Sequence, residues 1–316
     1  MKIMITGIAG FIGSNLARRL LKENGQPGRT LYEVEGVDYL SYGLRENVPE
    51  GARFFQVDIR SHALRELFKG VDVVFHFAAK NCISDCQQDP AETADINVTG
   101  TVNVIDSARL AGVKKIIYAE SSALYEGSSV FPTPETEVKP QSFYATSKAA
   151  ARLFADAYRR YHDIEFTALR YFCVYGPVQD YRRTVPPVMS AFIIKLLKGE
   201  RPIIYGTGEK RRDFVYIDDV NDFHIQCLND EKTSNKTFNL GSGVNYSVRE
   251  IFDVICELLG KRPEPVFKPN LTGEAQETLA DISEATKLGW IPKTSLRDGL
   301  RESIRYIENE IKLGRV

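Results

Sequence analysis

Residues 2–13 read KIMITGIAGFIG. A short apolar run, residues 2–6, breaks into Gly7, Gly10 and Gly13 at G-x-x-G-x-x-G spacing. The residues that follow, Ser14-Asn15-Leu16-Ala17-Arg18-Arg19-Leu20-Leu21, place apolar side chains at helical spacing. This is a strand, a glycine turn and the start of a helix. Glycines let the turn bend and let backbone approach phosphates, while the helix N-terminus offers unpaired N–H groups and a positive dipole end. The stretch therefore predicts a cradle for a dinucleotide pyrophosphate. A strand–helix turn without a ligand is the alternative, because glycine serves turns of many kinds.

Outward from this turn, apolar runs and helical patterns alternate. Strands are expected at Glu33–Asp38, 54–57, 71–77, 115–119 and 164–170, and helices at Phe11–Glu23, 61–68, 91–111 and Phe143–Tyr161. Strands alternating with helices imply α/β architecture, with a parallel sheet covered on both faces. Right-handed crossovers make it a Rossmann-type doubly wound sheet that binds ligands outside the carboxyl ends of its strands. After Arg170 the rhythm changes. Tyr175-Gly176-Pro177 and Pro186-Pro187 punctuate a less regular region with a helix at 188–198, strands at 214–217 and 238–240, and helices at 250–259 and 296–311. The expected division is a dinucleotide-binding domain over 1–172, with returns of chain near 213–240. A smaller interleaved substrate-binding lobe occupies most of 173–316.

The totals exclude several classes. The 316 residues carry 41 Lys+Arg against 42 Asp+Glu, a net charge of -1, which leaves no footprint for nucleic acid or an anionic membrane. Five cysteines are an odd count in a long chain and point to reduced thiols in the cytoplasm rather than a disulfide scaffold. Cys82 and Cys86 lack partners at metal-ligand spacing, so no metal site is expected. The first apolar run is too short and glycine-broken for a signal peptide, and no stretch approaches membrane-spanning length.

Asp38 ends the second strand at the distance expected of a ribose ligand. A carboxylate there accepts from ribose hydroxyls and repels a 2′-phosphate, favouring NAD over NADP. A strand-end cap is the alternative. Asp58 and Ile59 follow the third strand, where they would flank the adenine. Tyr144 and Lys148 form a Tyr-x-x-x-Lys pair on one helical face. An ammonium near a phenol favours phenolate and makes a useful acid/base near neutral pH. The pair alone would equally suit a solvated surface. Upstream, Ser121 and Ser122 sit at the end of the fifth strand, the end that faces the site in this architecture.

Together these residues resemble the extended short-chain dehydrogenase/reductase superfamily, in its NAD-dependent nucleotide-sugar epimerase/dehydratase branch. The resemblance spans nearly the whole chain. It runs through Gly7-x-x-Gly10-Phe11-Ile12-Gly13, His76-Phe77-Ala78-Ala79, Asn97-Val98-Thr99-Gly100-Thr101 and Tyr144-x-x-x-Lys148. It continues through Arg170-Tyr171-Phe172, Tyr175-Gly176-Pro177, the block from Arg212 to Val220, and Asn239-Leu240-Gly241-Ser242-Gly243. The resemblance implies a UDP-hexose 4-epimerase-like enzyme. Tyr144 would be the base on a sugar hydroxyl, Lys148 would hold the ribose and tune Tyr144, and Ser121 would hydrogen-bond the reacting oxygen. It further implies NAD contacts at Gly7, Gly10, Phe11, Ile12, Gly13, Asp38, Asp58, Ile59, Phe77, Ala78, Ala79, Lys80, Tyr144, Lys148 and Phe172. Substrate contacts would fall on Ser121, Ser122, Cys173, Tyr205 and Arg212. Tyr205 has core packing as its alternative role. The helices 91–111 and 143–161 resemble those that pair in the superfamily's homodimer.

Dehydratases of this branch carry an Asp-Glu or Ser-Glu pair after the Ser/Thr, and its decarboxylases a Glu. Here those positions are Ser122 and Ala123, so elimination lacks its acid/base and epimerisation is favoured. A dehydratase or ketoreductase remains an alternative, and a non-catalytic nucleotide-sensing module a further one. Glu120 and Glu126 are expected at the surface. Three departures concern the substrate end: Cys173 replaces an Asn, Leu271 ahead of Gly273-Glu274 replaces an Arg, and the loop that usually carries serines and an Arg reads Lys80-Asn81-Cys82-Ile83-Ser84-Asp85-Cys86. Arg182, Arg183 or Arg211 could supply the missing diphosphate contact.

Overall fold

The opening apolar run forms β1 (Lys2–Thr6), whose last four residues are buried. The structure, a computed structural model, describes residues 1–25, 31–183, 185–270 and 275–316. Two units divide the chain. One comprises 1–128, 138–171 and 221–238; the other comprises 129–137, 172–220 and 239–316.

In the first unit β1 leads into α1 (Phe11–Glu23), then β2 (Glu33–Asp38), β3 (Arg53–Gln56), α2 (Leu64–Leu67) and β4 (Val73–His76). Next come α3 (Ile83–Gln88), α4 (Pro90–Ala94), a π-helical turn (Asp95–Gly100), α5 (Thr101–Ala111), β5 (Lys115–Ser121), α6 (Phe143–Tyr161) and β6 (Glu165–Tyr171). β1 lies parallel between β2 and β4, with Ile5 opposite Gly36 on one side and Phe75 on the other. The full sheet runs β10-β6-β5-β4-β1-β2-β3, where β10 is Thr237–Leu240. Strand order reverses between β1 and β4, which is where a doubly wound sheet binds its ligand.

Central strands buried on every residue, such as β4, need helices on both faces. One face packs Met4, Val74 and Ile116 against Val104 and Ile105 of α5 and Ala151 and Ala155 of α6. Each large apolar side chain buried this way contributes roughly 1.5–3 kcal/mol. Helix α1 buries Leu16, Ala17 and Leu20, an i, i+1, i+4 stripe.

Three expectations change. The helix expected over 61–68 is regular only across α2. The one expected over 91–111 is three segments, because the π turn inserts where Gly100 meets Ile59; a Cβ on Gly100 would lie 2.7 Å from Ile59 Cδ1. The loop expected over Lys80 to Cys86 enters α3 at Ile83.

The second unit holds β7 (Cys173–Tyr175), α7 (Val188–Leu197), β8 (Ile203–Tyr205) and β9 (Arg211–Tyr216). Helix α8 (Ile217–Asn229) begins here and ends in the first unit. After β10 come β11 (Asn245–Ser247), α9 (Val248–Leu259), β12 (Val266–Lys268), α10 (Ser283–Thr286) and α11 (Leu296–Lys312). A small sheet runs β11-β9-β7, and β12 pairs with β8. Ser247 and Glu250 cap α9 reciprocally, satisfying two otherwise orphaned N–H groups. Buried Asp213 accepts from Ser242 N at 2.6 Å, Gly243 N at 3.0 Å and Ala280 N at 3.0 Å, tying three segments to β9.

Candidate active site

The glycine turn is built by close approach. Gly7 has φ +76, and a Cβ there would lie 2.9 Å from Ala78 N. A Cβ on Gly13 would lie 2.3 Å from the Gly7 carbonyl oxygen, so helix and turn touch backbone to backbone. A Cβ on Gly10 meets only Gly7 O, at 3.3 Å, and its remaining surroundings are open. Gly10 is the N-cap of α1, with no side-chain cap and no acid in the first turn. The amides of Phe11, Ile12 and Gly13 thus lack a side-chain acceptor and can receive an anion.

Asp38 closes β2 beside this turn, accepting from Ala9 N at 3.0 Å and Leu40 N at 2.8 Å. Burial pushes its carboxyl up, against the opposing pull of those amides. Asp58 is held below the usual carboxylate range by Arg60, whose Nε donates to Oδ1 at 3.0 Å. Ile59 is buried. The glycine cradle, uncapped helix and strand-end carboxylate together fit a dinucleotide with free ribose hydroxyls.

Phe77, Ala78 and Ala79 leave β4 half-buried. Buried Lys80 follows, its ammonium paired with Glu92. Asn97, in the π turn, clamps Lys80 from both sides: Oδ1 accepts from Lys80 N at 2.8 Å and Nδ2 donates to Lys80 O at 2.8 Å. Its Nδ2 also donates to Ser147 Oγ at 3.0 Å. Asn97 thereby joins the chain after β4 to the helix carrying Tyr144 and Lys148. Sequence reasoning assigned it no role; the signal was an Asn set inside a helical pattern, a residue that competes with helical backbone.

Ser121 is the last residue of β5, half-buried, with its Oγ accepting from Ala123 N at 3.1 Å. Tyr144 and Lys148 lie buried one turn apart on α6. Lys148 Nζ donates to Ala119 O at 2.8 Å and stands 4.8 Å over the Tyr118 ring. Burial drives this ammonium down to about 8, against the opposing pull of Glu120 and Cys86. The structure therefore brings the Ser–Tyr–Lys set to the end of β5 and the face of α6 that packs on it.

The surface expectation for Glu120 is overturned. β5 is a central strand covered on both faces, and the Glu120 side chain is fully shielded. It accepts from Arg170 Nε at 2.6 Å and Arg152 Nη1 at 3.1 Å. Arg170 Nη1 also donates to Tyr125 Oη at 2.8 Å. Glu126 is half-buried rather than on the surface and turns to the start of α6, accepting from Ser142 N at 2.7 Å and Ser142 Oγ at 2.9 Å. Ser142 in turn caps α6 through Ala145 N at 3.1 Å.

In the second unit, buried Phe172 donates its N–H to Leu240 O at 3.0 Å, and Cys173 opens β7 half-buried. Tyr205 ends β8 half-buried, ahead of Gly206 at φ +74. Arg212 donates to Ala275 O at 2.7 Å and Arg211 O at 2.8 Å. Arg211 donates to Asn245 Oδ1 at 2.8 Å. Arg182 and Arg183 lie beside Asp180. Leu271, Gly273 and Glu274 fall outside the described residues. Among the described residues, no three or more His, Cys, Asp or Glu gather to hold a metal, and no helix is long and apolar enough to cross a membrane.

A sequence model of the NAD dependent epimerase/dehydratase family matches residues 3–241. The UDP-glucose 4-epimerase of Mycolicibacterium smegmatis is 34% identical over 321 residues, covering 98% of this chain and 99% of that protein. The UDP-glucose 4-epimerase of Thermotoga maritima, solved with UDP-glucose, superposes with TM-score 0.92 at 34% identity, covering 98% of this chain and 100% of that one. The UDP-glucuronic acid 4-epimerase of Bacillus cereus, solved with UDP-glucuronic acid and NAD, gives TM-score 0.89 at 28% identity, covering 98% and 99%.

Proposed function

This chain belongs to the NAD-dependent epimerase/dehydratase family, and we propose that it inverts C4 of a UDP-hexose through a transient 4-keto sugar. The observation that carries the choice of epimerase is the end of β5. Ser122 and Ala123 offer no carboxylate there. The two nearby acids are committed elsewhere: Glu120 to Arg152 and Arg170, Glu126 to the start of α6. Elimination of water therefore lacks its acid/base, whereas a phenol–ammonium pair suffices for moving one proton on and off a hydroxyl.

NAD, held by the residues assigned below, would supply the hydride chemistry at C4. Tyr144 takes the proton of the 4-hydroxyl and gives it back. Ser121 hydrogen-bonds the same oxygen. Lys148 holds a positive charge one helical turn from Tyr144, which favours the phenolate. We assign the pyrophosphate to the amides around Gly7, Gly10, Phe11, Ile12 and Gly13, and the ribose hydroxyls to Asp38. Asp58 and Ile59 are assigned to the adenine. Phe77, Ala78, Ala79, Lys80 and Phe172 complete the proposed cofactor set. Arg212 is assigned to the diphosphate of the sugar nucleotide by its forked donors. Tyr205 is assigned to its base, and Ser122 and Cys173 to the substrate as well.

We propose a homodimer formed through α5 and α6. Leu110, Phe143, Leu153, Phe154 and Tyr161 are exposed there, Leu153 at 72% and Tyr161 at 75%, an apolar face that a second copy would cover. A cytoplasmic location is proposed from the five cysteines, none of which is in a disulfide.

The test is incubation of pure protein with UDP-glucose, UDP-N-acetylglucosamine and UDP-glucuronate, followed by NMR of the sugar configuration. A C4 epimer from at least one is expected. No epimer from any of them, with NAD present, would overturn the UDP-hexose assignment.

A further inference from the structure

Glu120 is a fully shielded carboxylate one residue before Ser121. Its two oxygens are divided between a helix and a strand. Oε1 takes Arg152, one turn beyond Lys148 on α6, and Oε2 takes Arg170 on β6. Arg152 Nη1 is fixed further by Thr237 Oγ1 at 2.8 Å. On the same α6 face, Lys148 Nζ binds Ala119 O, the carbonyl just before Glu120. Two consecutive residues of β5 thus hold two consecutive turns of α6.

The groups facing Lys148 leave Glu120 as its counter-ion. Tyr118 of β5 presents a ring face. Burial pushes the Cys86 thiol of α3 up, so it is neutral near pH 7. His76 of β4 is driven to about 3 by burial and is neutral too. Tyr144 shares α6.

We propose that Glu120 is a positioning residue: it locks the α6 face bearing Tyr144 and Lys148 onto the end of β5 bearing Ser121, and supplies the negative charge opposite the Lys148 ammonium. This rests on the epimerase reading for its role in turnover, but not for its effect on the Tyr144–Lys148 pair. Glu120→Gln removes the charge while keeping the shape, and takes away the carboxylate that Arg152 and Arg170 share, while Arg152 keeps Asp156 Oδ1 at 3.0 Å. Lys148 then loses its proton at lower pH. Arg152→Gln does the opposite. It removes a cation and leaves Glu120 bound to Arg170 alone, so Lys148 keeps its proton to higher pH.

The experiment measures the alkaline limb of the epimerisation rate in the full-length protein and both variants. In parallel, the tyrosinate absorbance of each is titrated against its Tyr144→Phe counterpart. A downward shift of about one pH unit in Glu120→Gln and an upward shift in Arg152→Gln are expected, about the size of one lost neighbouring charge. The Tyr144 titration should move in Glu120→Gln, because the lost carboxylate acts on the phenol directly and through Lys148, a readout that holds even if the enzyme epimerises none of the sugars offered. An unmoved limb and an unmoved tyrosinate titration in a folded Glu120→Gln would overturn the proposal. So would shifts of the same sign in both variants. If Glu120→Gln does not fold, an unshifted Arg152→Gln overturns it alone.

Discussion

Lys148 donates its Nζ to the carbonyl oxygen of Ala119, 2.8 Å away and two residues before Ser121. One hydrogen bond therefore sets the helix that carries the phenol against the strand that carries the serine. Because the ammonium is buried and driven down to about 8, its charge is conditional on pH. The ammonium is the form that favours the Tyr144 phenolate. The rate should hold below pH 8 and fall as pH rises through that value. Lys148→Met should lower kcat roughly a hundredfold or more, the size of a lost acid/base contribution. A steady-state pH profile measures both.

Asp38 accepts two backbone N–H bonds at the end of β2, and its carboxylate is proposed to take the ribose hydroxyls. Asp38→Ala should weaken NAD about tenfold or more, since each hydrogen bond to a charged group is worth about 1.5–3 kcal/mol. It should weaken NADP less, because the repulsion of a 2′-phosphate goes with the carboxylate. Titration of the protein freed of cofactor with each dinucleotide gives the ratio.

Gly13 separates fold from cofactor. A Cβ there meets Gly7 O at 2.3 Å and Ile8 Cα at 2.9 Å, both backbone, so the turn must move. Gly13→Ala should cost about 1–3 kcal/mol in urea unfolding and should also lose bound NAD. Gly112→Ala serves as the comparison. Gly112 ends α5 at φ +84 with nothing within 4 Å of an added Cβ, so only local strain of about 1 kcal/mol is expected there, with NAD content unchanged.

Two buried imidazoles predict acid sensitivity. His76 sits between Thr6 Oγ1 at 2.7 Å and Thr101 Oγ1 at 2.9 Å, and His224 bonds Tyr171 Oη at 2.8 Å. Burial lowers both to about 3. Between an unfolded value of about 6.5 and that folded value, the unfolded chain binds more protons. Stability contributed by keeping them neutral is complete above about pH 6.5 and is lost as pH falls toward 3, by about 1.4 kcal/mol per unit for each histidine. Urea midpoints from pH 7 to pH 4 should fall accordingly, and His224→Gln should flatten the slope.

These contrasts explain what could be read from the chain. Gly7, Gly10 and Gly13 were legible because a tight turn dictates glycine locally, and α6 was legible because Tyr144, Lys148, Ala151 and Ala155 repeat at helical spacing. The π turn was not, since a helical pattern continues through it unchanged. Glu120 was not either. A charged residue defaults to the surface. Its partners Arg152 and Arg170 are brought to it only by the packing of α6 and β6 on β5.

In the proposed reaction the hydrogen at C4 leaves the sugar and returns to it. The direct measurement gives the enzyme the UDP-hexose it turns over with deuterium at C4 and follows the product by NMR. The epimer should keep its deuterium at C4, and Tyr144→Phe should slow its appearance roughly a hundredfold or more. An epimer with solvent hydrogen at C4, or a dehydrated keto-sugar in place of an epimer, would contradict that reaction.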